Sequence, residues 1–378
     1  MRWSVTVPPN DEAKLGLGYR PGHAAVAVPC AKECRVSPDA MAARHPPSTG
    51  VEVVTLGESL VSLIASPRGP LAEATSFERV VAGAEANVAV GLARLGHRVA
   101  YIGRVGDDAF GSVILHRLRG EGVDVRQLLV EAGVPTGIMV RELRDLGPAE
   151  VIYHRAGSAG SRLSPAHVDA AADLFTGARW LHVTGITPAL SASAAAAVDT
   201  ALKRARDAGL TISLDLNIRR KLWPEARAAT VLGALLRRVD VVLGGLDEAA
   251  LVGGLATSLE GGSGVDPERA AAALLRLGPV TAVIKLGASG ALELGRDGTV
   301  VRHAGVRVAR AIDPVGAGDG FSAGYIAARL EGLGAGAALA LGNACGAAVV
   351  ATVGDLTGLP SRVEAERLLA AEGPDQLR

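Results

Sequence analysis

The chain has 378 residues, and its 39 Lys and Arg match 39 Asp and Glu, so the formal net charge is zero. That balance argues against a nucleic acid or an acidic membrane surface held by bulk charge, and no apolar run approaches the roughly 18 residues that cross a bilayer. Nearly half of the residues are hydrophobic but only 3% are aromatic, so the core is expected to be built from Ala, Val and Leu, in one large domain or two modest ones.

Residues 1–49 hold no sustained period and end in the Pro/Ser/Gly-rich "MAARHPPSTG". They lack the apolar segment of a signal peptide and read as a disordered extension; Met41, just before the regular part, is an alternative start. From Val51 the pattern becomes regular. "VEVVTLG" predicts a buried strand, "GAEANVAVGLARLG" a helix stopped at Gly96, "RVAYIGRVG" a strand, and "FGSVILHRLRGEG" a helix ending at Gly122. "GIMVREL" and "EVIYHRA", separated by "RDLGPAE", predict a hairpin. "SPAHVDAAADLF" predicts a helix capped by Ser164 with Pro165 in its first turn. Strands "ARWLHVTG", "LTISLDLN", "DVVLGG" and "VTAVIKLG" then alternate with helices, including "SASAAAAVDTALKRARDAG" and "PEARAATVLGALLRRV". Short strands "GALEL", "TVVRHA" and "VRVARA" precede three closing helices. Such alternation predicts an α/β fold with a mainly parallel sheet covered on both faces; the hairpin falls outside it and reads as a small β appendage, such as a lid.

Cys30, Cys34 and Cys345 form no zinc-type spacing; Cys345 reads as a buried thiol and the chain as cytoplasmic. His154 and His182 lie in no metal-type spacing and read as structural.

"AIDPVGAGDGFSAGYIAARL", from Ala311, carries the sharpest local signal. Its glycines form GxGxG, with Phe321 where a dinucleotide fingerprint needs Gly. None of the five lysines completes the GxxxxGK[ST] of a P-loop. The amides of Gly316, Ala317 and Gly318 can still converge on an anion at a helix start. Locally, Asp319 reads either as a helix cap or as a general base beside that anion site.

"GAEANVAVGLARLG" and "DPVGAGDGFSAGYIAARL" together resemble the two signatures of the PfkB (ribokinase-like) carbohydrate kinase family, and the resemblance covers the chain from Val51 onward. It implies a three-layer sandwich over residues 50–378, with lid strands inserted mainly around 59–81 and 134–156. It implies that Asp319 takes the proton of a substrate hydroxyl that attacks the γ-phosphorus of ATP, while the amides of Gly316, Ala317 and Gly318 hold the phosphoryl oxygens. Gly83 and Asn87 would meet sugar hydroxyls. Asn217, Lys285, Gly287, Gly290, Gly316, Gly318 and Asn343 would line the ATP site, and Glu248 would organise Mg²⁺. A monovalent cation is left open, and a homo-oligomer joined through lid strands is expected. The chain departs from the family pattern at Ala82, usually Gly, and at Gly245, usually Asn.

Three features resemble the branch acting on 2-keto-3-deoxygluconate: Tyr153 and Arg155 two apart, the D-x-N-x-R spacing of Asp215, Asn217 and Arg219, and "GDLTGLP". In that branch these arginines meet the acidic end of the substrate, which fits the preference of a carboxylate for guanidinium. Met139 stands where the branch commonly has an aromatic. Glu58 reads as a partner of a sugar hydroxyl or as a solvated strand-end acid. Fructose, 5-dehydro-2-deoxygluconate and a nucleoside are the alternative substrates, and a non-catalytic sugar-acid sensor is the rival of another class.

Overall fold

Val53 and Val54 are chain neighbours, yet they pack into different hydrophobic cores. The same division separates Tyr101 from Ile102, Trp180 from Leu181 and Val283 from Ile284. Side chains alternate across a strand, so an unbroken apolar run means a sheet buried on both sides. A computed structural model describes residues 50–144, 149–261 and 264–371. The readings of residues 1–49, including a start at Met41, lie outside the described residues.

In chain order, β1 (Val53–Leu56), β2 (Leu60–Ser66) and β3 (Ser76–Ala82) lead to α1 (Ala84–Arg94), β4 (Val99–Gly106) and α2 (Ala109–Gly120). Three strands follow, β5 (Leu128–Glu131), β6 (Ile138–Arg141) and β7 (Val151–His154), and then α3 (Pro165–Ala170) and α4 (Ala172–Phe175). Next come β8 (Trp180–Thr184), α5 (Thr187–Leu190), α6 (Ala192–Asp207), β9 (Thr211–Asp215) and α7 (Glu225–Leu235). β10 (Val241–Gly245) runs into α8 (Leu246–Val252), followed by α9 (Pro267–Leu275), β11 (Thr281–Lys285), β12 (Ala291–Gly295) and β13 (Val300–His303). The helices α10 (Ala317–Leu330), α11 (Ala335–Val350) and α12 (Arg362–Ala371) complete the described elements.

Nine strands form one sheet in the order β13-β12-β11-β10-β9-β8-β1-β4-β5, parallel from β11 to β5, with β12 and β13 antiparallel at one edge. Helices α3 to α9 cover one face, and α1, α2, α10, α11 and α12 cover the other. A second sheet, β3-β2-β6-β7, has its own small core of Leu60, Ala82 and Met139, flanked by Val151 and Tyr153. Among the described residues no helix is long and apolar enough to cross a membrane.

Three local expectations need correcting. "SPAHVDAAADLF" breaks at Ala171 into two short helices. Ser164 spends its hydroxyl on His167 Nδ1 at 2.8 Å instead of capping the helix amides. "VRVARA" makes no strand, because the sheet ends at His303. His182 is structural: burial pulls its pKa down to about 4, and its Nδ1 pairs with Ser213 Oγ at 2.8 Å. Cys345 is buried, which pushes its thiol up to about 12.

Candidate active site

Helix α10 begins on a left-handed turn at Gly316, whose φ of 83° suits a residue without a Cβ. The N-cap is therefore Gly316, and Asp319 is the third residue of the helix, which removes the helix-cap reading of Asp319. Its carboxylate instead collects two distant amides. Oδ2 accepts from Asn87 Nδ2 at 2.8 Å, and Oδ1 accepts from Asn217 Nδ2 at 3.2 Å. Asn217 holds a φ of 38°, which no other non-glycine among the described residues shares in sign. Asn tolerates that region better than most residues, and such backbone outliers concentrate at functional sites. Burial lifts the Asp319 pKa to about 7; Asp215 adds to the rise, while Asn87, Lys285 and Arg219 oppose it.

The amides ahead of this carboxylate divide unequally. Among the described residues, those of Gly316, Gly318 and Asp319 have no acceptor, whereas Ala317 N–H reaches Pro314 O at 3.3 Å. A helix start leaves such donors facing outward, and they are suited to an anion.

Lys285 pairs with Asp215 and also donates to Gly318 O at 2.8 Å and Ser322 Oγ at 2.9 Å. Its three donors are used within the protein, so it braces the first turn of α10. Lys285→Met is expected to lower the melting temperature, since stranding the buried Asp215 carboxylate costs about 3–5 kcal/mol.

Arg155 follows β7 and lies 5.3 Å from the centre of the Tyr153 ring. It donates Nε to Glu58 Oε2 at 2.6 Å, and Ser158 Oγ donates to the other oxygen of Glu58. Glu58 is therefore a buried partner of Arg155 and not a solvated acid. Arg219 differs. It is exposed, makes no ion pair within 4.0 Å among the described residues, and its charge reaches Asp319 and Asp355.

With this geometry in hand, similarity to known proteins becomes informative. Residues 51–362 match the pfkB family carbohydrate kinases. The chain belongs to this family. A 2-dehydro-3-deoxygluconokinase of Thermoproteus tenax is 41% identical over 332 residues, covering 87% of this chain and 97% of the relative. Another of that name, from Bacillus subtilis strain 168, is 39% identical over 325 residues, covering 85% of this chain and 96% of the relative. A putative ribokinase II from E. coli, solved with ATP and Mg²⁺, aligns with a TM-score of 0.76 at 29% identity over 85% of this chain and 99% of its own.

In this PfkB kinase the residues expected on the nucleotide side have varied surroundings. Gly287 faces open space, whereas a Cβ on Gly290 would lie 2.1 Å from His303 O. Gly290 thus makes room for the protein's own backbone. Asn343 is buried and donates to Ala304 O at 2.9 Å, tying α11 to the segment after β13. Gly83 precedes α1 and accepts the Asn87 N–H at 2.7 Å. Glu248 Oε1 accepts Ile218 N–H at 2.7 Å and Oε2 accepts Gly245 N–H at 2.9 Å. The first of these bonds anchors the loop carrying Asn217 and Arg219. Burial raises the Glu248 pKa.

Sequence reasoning missed the roles of Lys285 and of the triad Arg141, Asp313 and Asp355. Only the "DP" before the glycines and the "GDLTG" after the last long helices hinted at the latter.

Proposed function

We propose that this kinase transfers the γ-phosphoryl group of ATP to the 6-hydroxyl of 2-keto-3-deoxygluconate, releasing ADP and the 6-phosphate. Arg219 is the observation that carries the substrate assignment: an exposed guanidinium without an ion-pair partner among the described residues, close enough to act on the Asp319 charge. A sugar acid places its carboxylate on Arg219 and its far hydroxyl at Asp319. The names of the Thermoproteus and Bacillus relatives support the same substrate.

Asp319 Oδ removes the hydroxyl proton as that oxygen bonds to the γ-phosphorus and the bond to the ADP oxygen breaks. With a pKa near 7 the carboxylate is basic enough to accept a proton and still largely available at neutral pH. Asn87 and Asn217 fix its direction. The amides of Gly316 and Gly318, joined by that of Asp319, meet the charge on the transferring oxygens. Asn87 and Gly83 border the sugar, and Arg155, held by Glu58, shapes its acidic end together with Tyr153.

No group of three or more His, Cys, Asp or Glu suited to a metal occurs among the described residues. Glu248 would hold Mg²⁺ through a water, since its carboxylate keeps lone pairs beyond its two amide bonds. When bound, Mg²⁺ neutralises phosphate charge. The same reading places the enzyme in the cytoplasm, in Entner–Doudoroff-type sugar-acid breakdown. It also pairs two copies through the small sheet, where Phe77 and Ile152 are exposed.

An ADP-release assay on 2-keto-3-deoxygluconate, fructose, 5-dehydro-2-deoxygluconate and a nucleoside tests the proposal. The expected result is highest kcat/KM for 2-keto-3-deoxygluconate. Turnover of fructose without turnover of the sugar acid refutes the substrate; tight sugar-acid binding without ADP release from any compound marks a sensor.

A further inference from the structure

Arg141, the last residue of β6, is 2% exposed and among the largest fully buried side chains. It leaves the small sheet and reaches the segment ahead of α10. Nη1 donates to Asp313 Oδ1 at 3.1 Å, Nη2 donates to Asp313 Oδ2 at 2.5 Å, and Nη2 lies 3.6 Å from Asp355 Oδ1. Asp313 also takes two amides: Val315 N–H on Oδ1 at 3.2 Å and Gly354 N–H on Oδ2 at 3.1 Å. Four donors fill the four lone-pair positions of one carboxylate.

This triad holds both halves of the candidate site. Val315 directly precedes Gly316, which bears one of the free amides. Asp355 Oδ2 stands 3.5 Å from Asn87 Nδ2, the atom that donates to Asp319. One guanidinium thus grips the turn that presents the anion donors and stands against the carboxylate that flanks the base's partner. Two carboxylates at this depth stay ionised together only beside a cation. Among the described residues, Arg141 is the cation within 4.0 Å of both.

We infer that Arg141 is a built-in cation: a positioning residue on the small sheet that neutralises Asp313 and Asp355, fixes the turn ahead of α10, and makes phosphoryl transfer independent of an added monovalent cation. A soluble ion such as K⁺ would need oxygen lone pairs in the same place. Those of Asp313 are taken, and Asp355 Oδ1, buried and without a hydrogen bond, lies 3.6 Å from the guanidinium, whose positive charge repels a second cation there. The monovalent cation left open by the sequence therefore does not fit at these carboxylates. Because Arg141 comes from the small sheet, its guanidinium ties that sheet, through Asp313, to the turn that bears the donors for the phosphoryl group. The rate aspect rests on the kinase assignment; the electrostatic aspect does not.

The test compares wild type and Arg141→Ala in KCl and in tetramethylammonium chloride at equal ionic strength, reading the melting temperature without substrate as well as kcat and KM. Wild type is expected to show the same melting temperature and kcat in both salts. Arg141→Ala is expected to lose about 100-fold in kcat, the scale of a misplaced reacting geometry, with a much smaller change in the KM for ATP. Millimolar guanidinium is expected to restore part of that kcat and to raise the variant's melting temperature. Activation or thermal stabilisation of wild type by K⁺ overturns the inference, as does a folded Arg141→Ala with wild-type kcat. If the Ala variant does not fold, Arg141→Lys decides: it keeps the charge but loses the fork, so a reduced kcat supports the inference and an unchanged one overturns it. A wild type inert toward every sugar overturns the proposed function instead, while its melting temperatures still judge the built-in cation.

Discussion

Asp319→Asn is expected to lower kcat by about 10²–10⁴-fold, the range contributed by a positioned general base, with little change in the KM for ATP. The substitution is close to isosteric and leaves the start of α10 intact, so the loss reads chemistry and not architecture. Its signature lies in pH. Burial raises the wild-type pKa to about 7, and the base must be ionised to act. Wild-type kcat/KM is therefore expected to rise with pH, reach half its limit near pH 7 and then level off. In the variant this titration disappears. Stability moves the opposite way. The folded pKa lies above the unfolded value near 3.8, so the folded state binds more protons across that interval, and stability falls as pH rises from about 4 to about 7. Asp319→Asn removes this penalty, so its melting temperature at pH 8 is expected to exceed that of wild type, where each kcal/mol amounts to about 2–4 °C in a domain of moderate size. A variant with near wild-type kcat, or a wild-type profile flat from pH 6 to 8, rules out Asp319 as the base.

The parts of this site that the sequence made legible share a physical origin. In a parallel sheet every strand delivers its C-terminal end to the same edge, where ligands bind in open α/β sheets. β1 runs on to Glu58, β9 to Asp215 and Asn217, β10 to Gly245 and Glu248, and β11 to Lys285. Residues read as motif members after strands were thereby brought close. Asn87 and Asp319, 232 positions apart, meet because α1 and α10 cover the same face of that sheet. Local pattern does not encode which charge neutralises which. Arg155 carried the mark of a substrate ligand, but its partner Glu58 is 97 residues away. Lys285 is expected to line the ATP site, but its bonds to Asp215 and Ser322 have no local sign. Arg141, at the end of a short strand beside an unremarkable Glu, gives no local sign of the buried carboxylates it serves. Such pairings depend on long-range packing, and so does the break at Ala171 in a stretch whose apolar spacing suited one helix.

The sugar-acid assignment turns on the contrast between the two arginines expected to clamp the carboxylate. Removing Arg155 strands Glu58, which is 2% exposed, and an uncompensated buried charge costs about 3–5 kcal/mol. Arg155→Ala therefore mixes a folding defect with any loss of substrate contact. Arg219 is exposed and makes no ion pair among the described residues, so its removal is expected to change stability by no more than about 0.5 kcal/mol. Arg219→Ala is then a clean test. A lost charge-assisted contact worth about 2 kcal/mol or more weakens binding at least about 30-fold, so the KM for 2-keto-3-deoxygluconate is expected to rise by that factor or more, while weak turnover of fructose stays unchanged. Arg219→Lys keeps the charge but loses the two-pronged geometry, and its KM is expected to fall between the two. Equal losses for the acid and the neutral sugar, accompanied by a raised KM for ATP, would assign Arg219 to the phosphates instead. The carboxylate would then have to be met by Arg155, whose charge Glu58 already engages, and discrimination between acid and neutral sugars should be weak even in wild type.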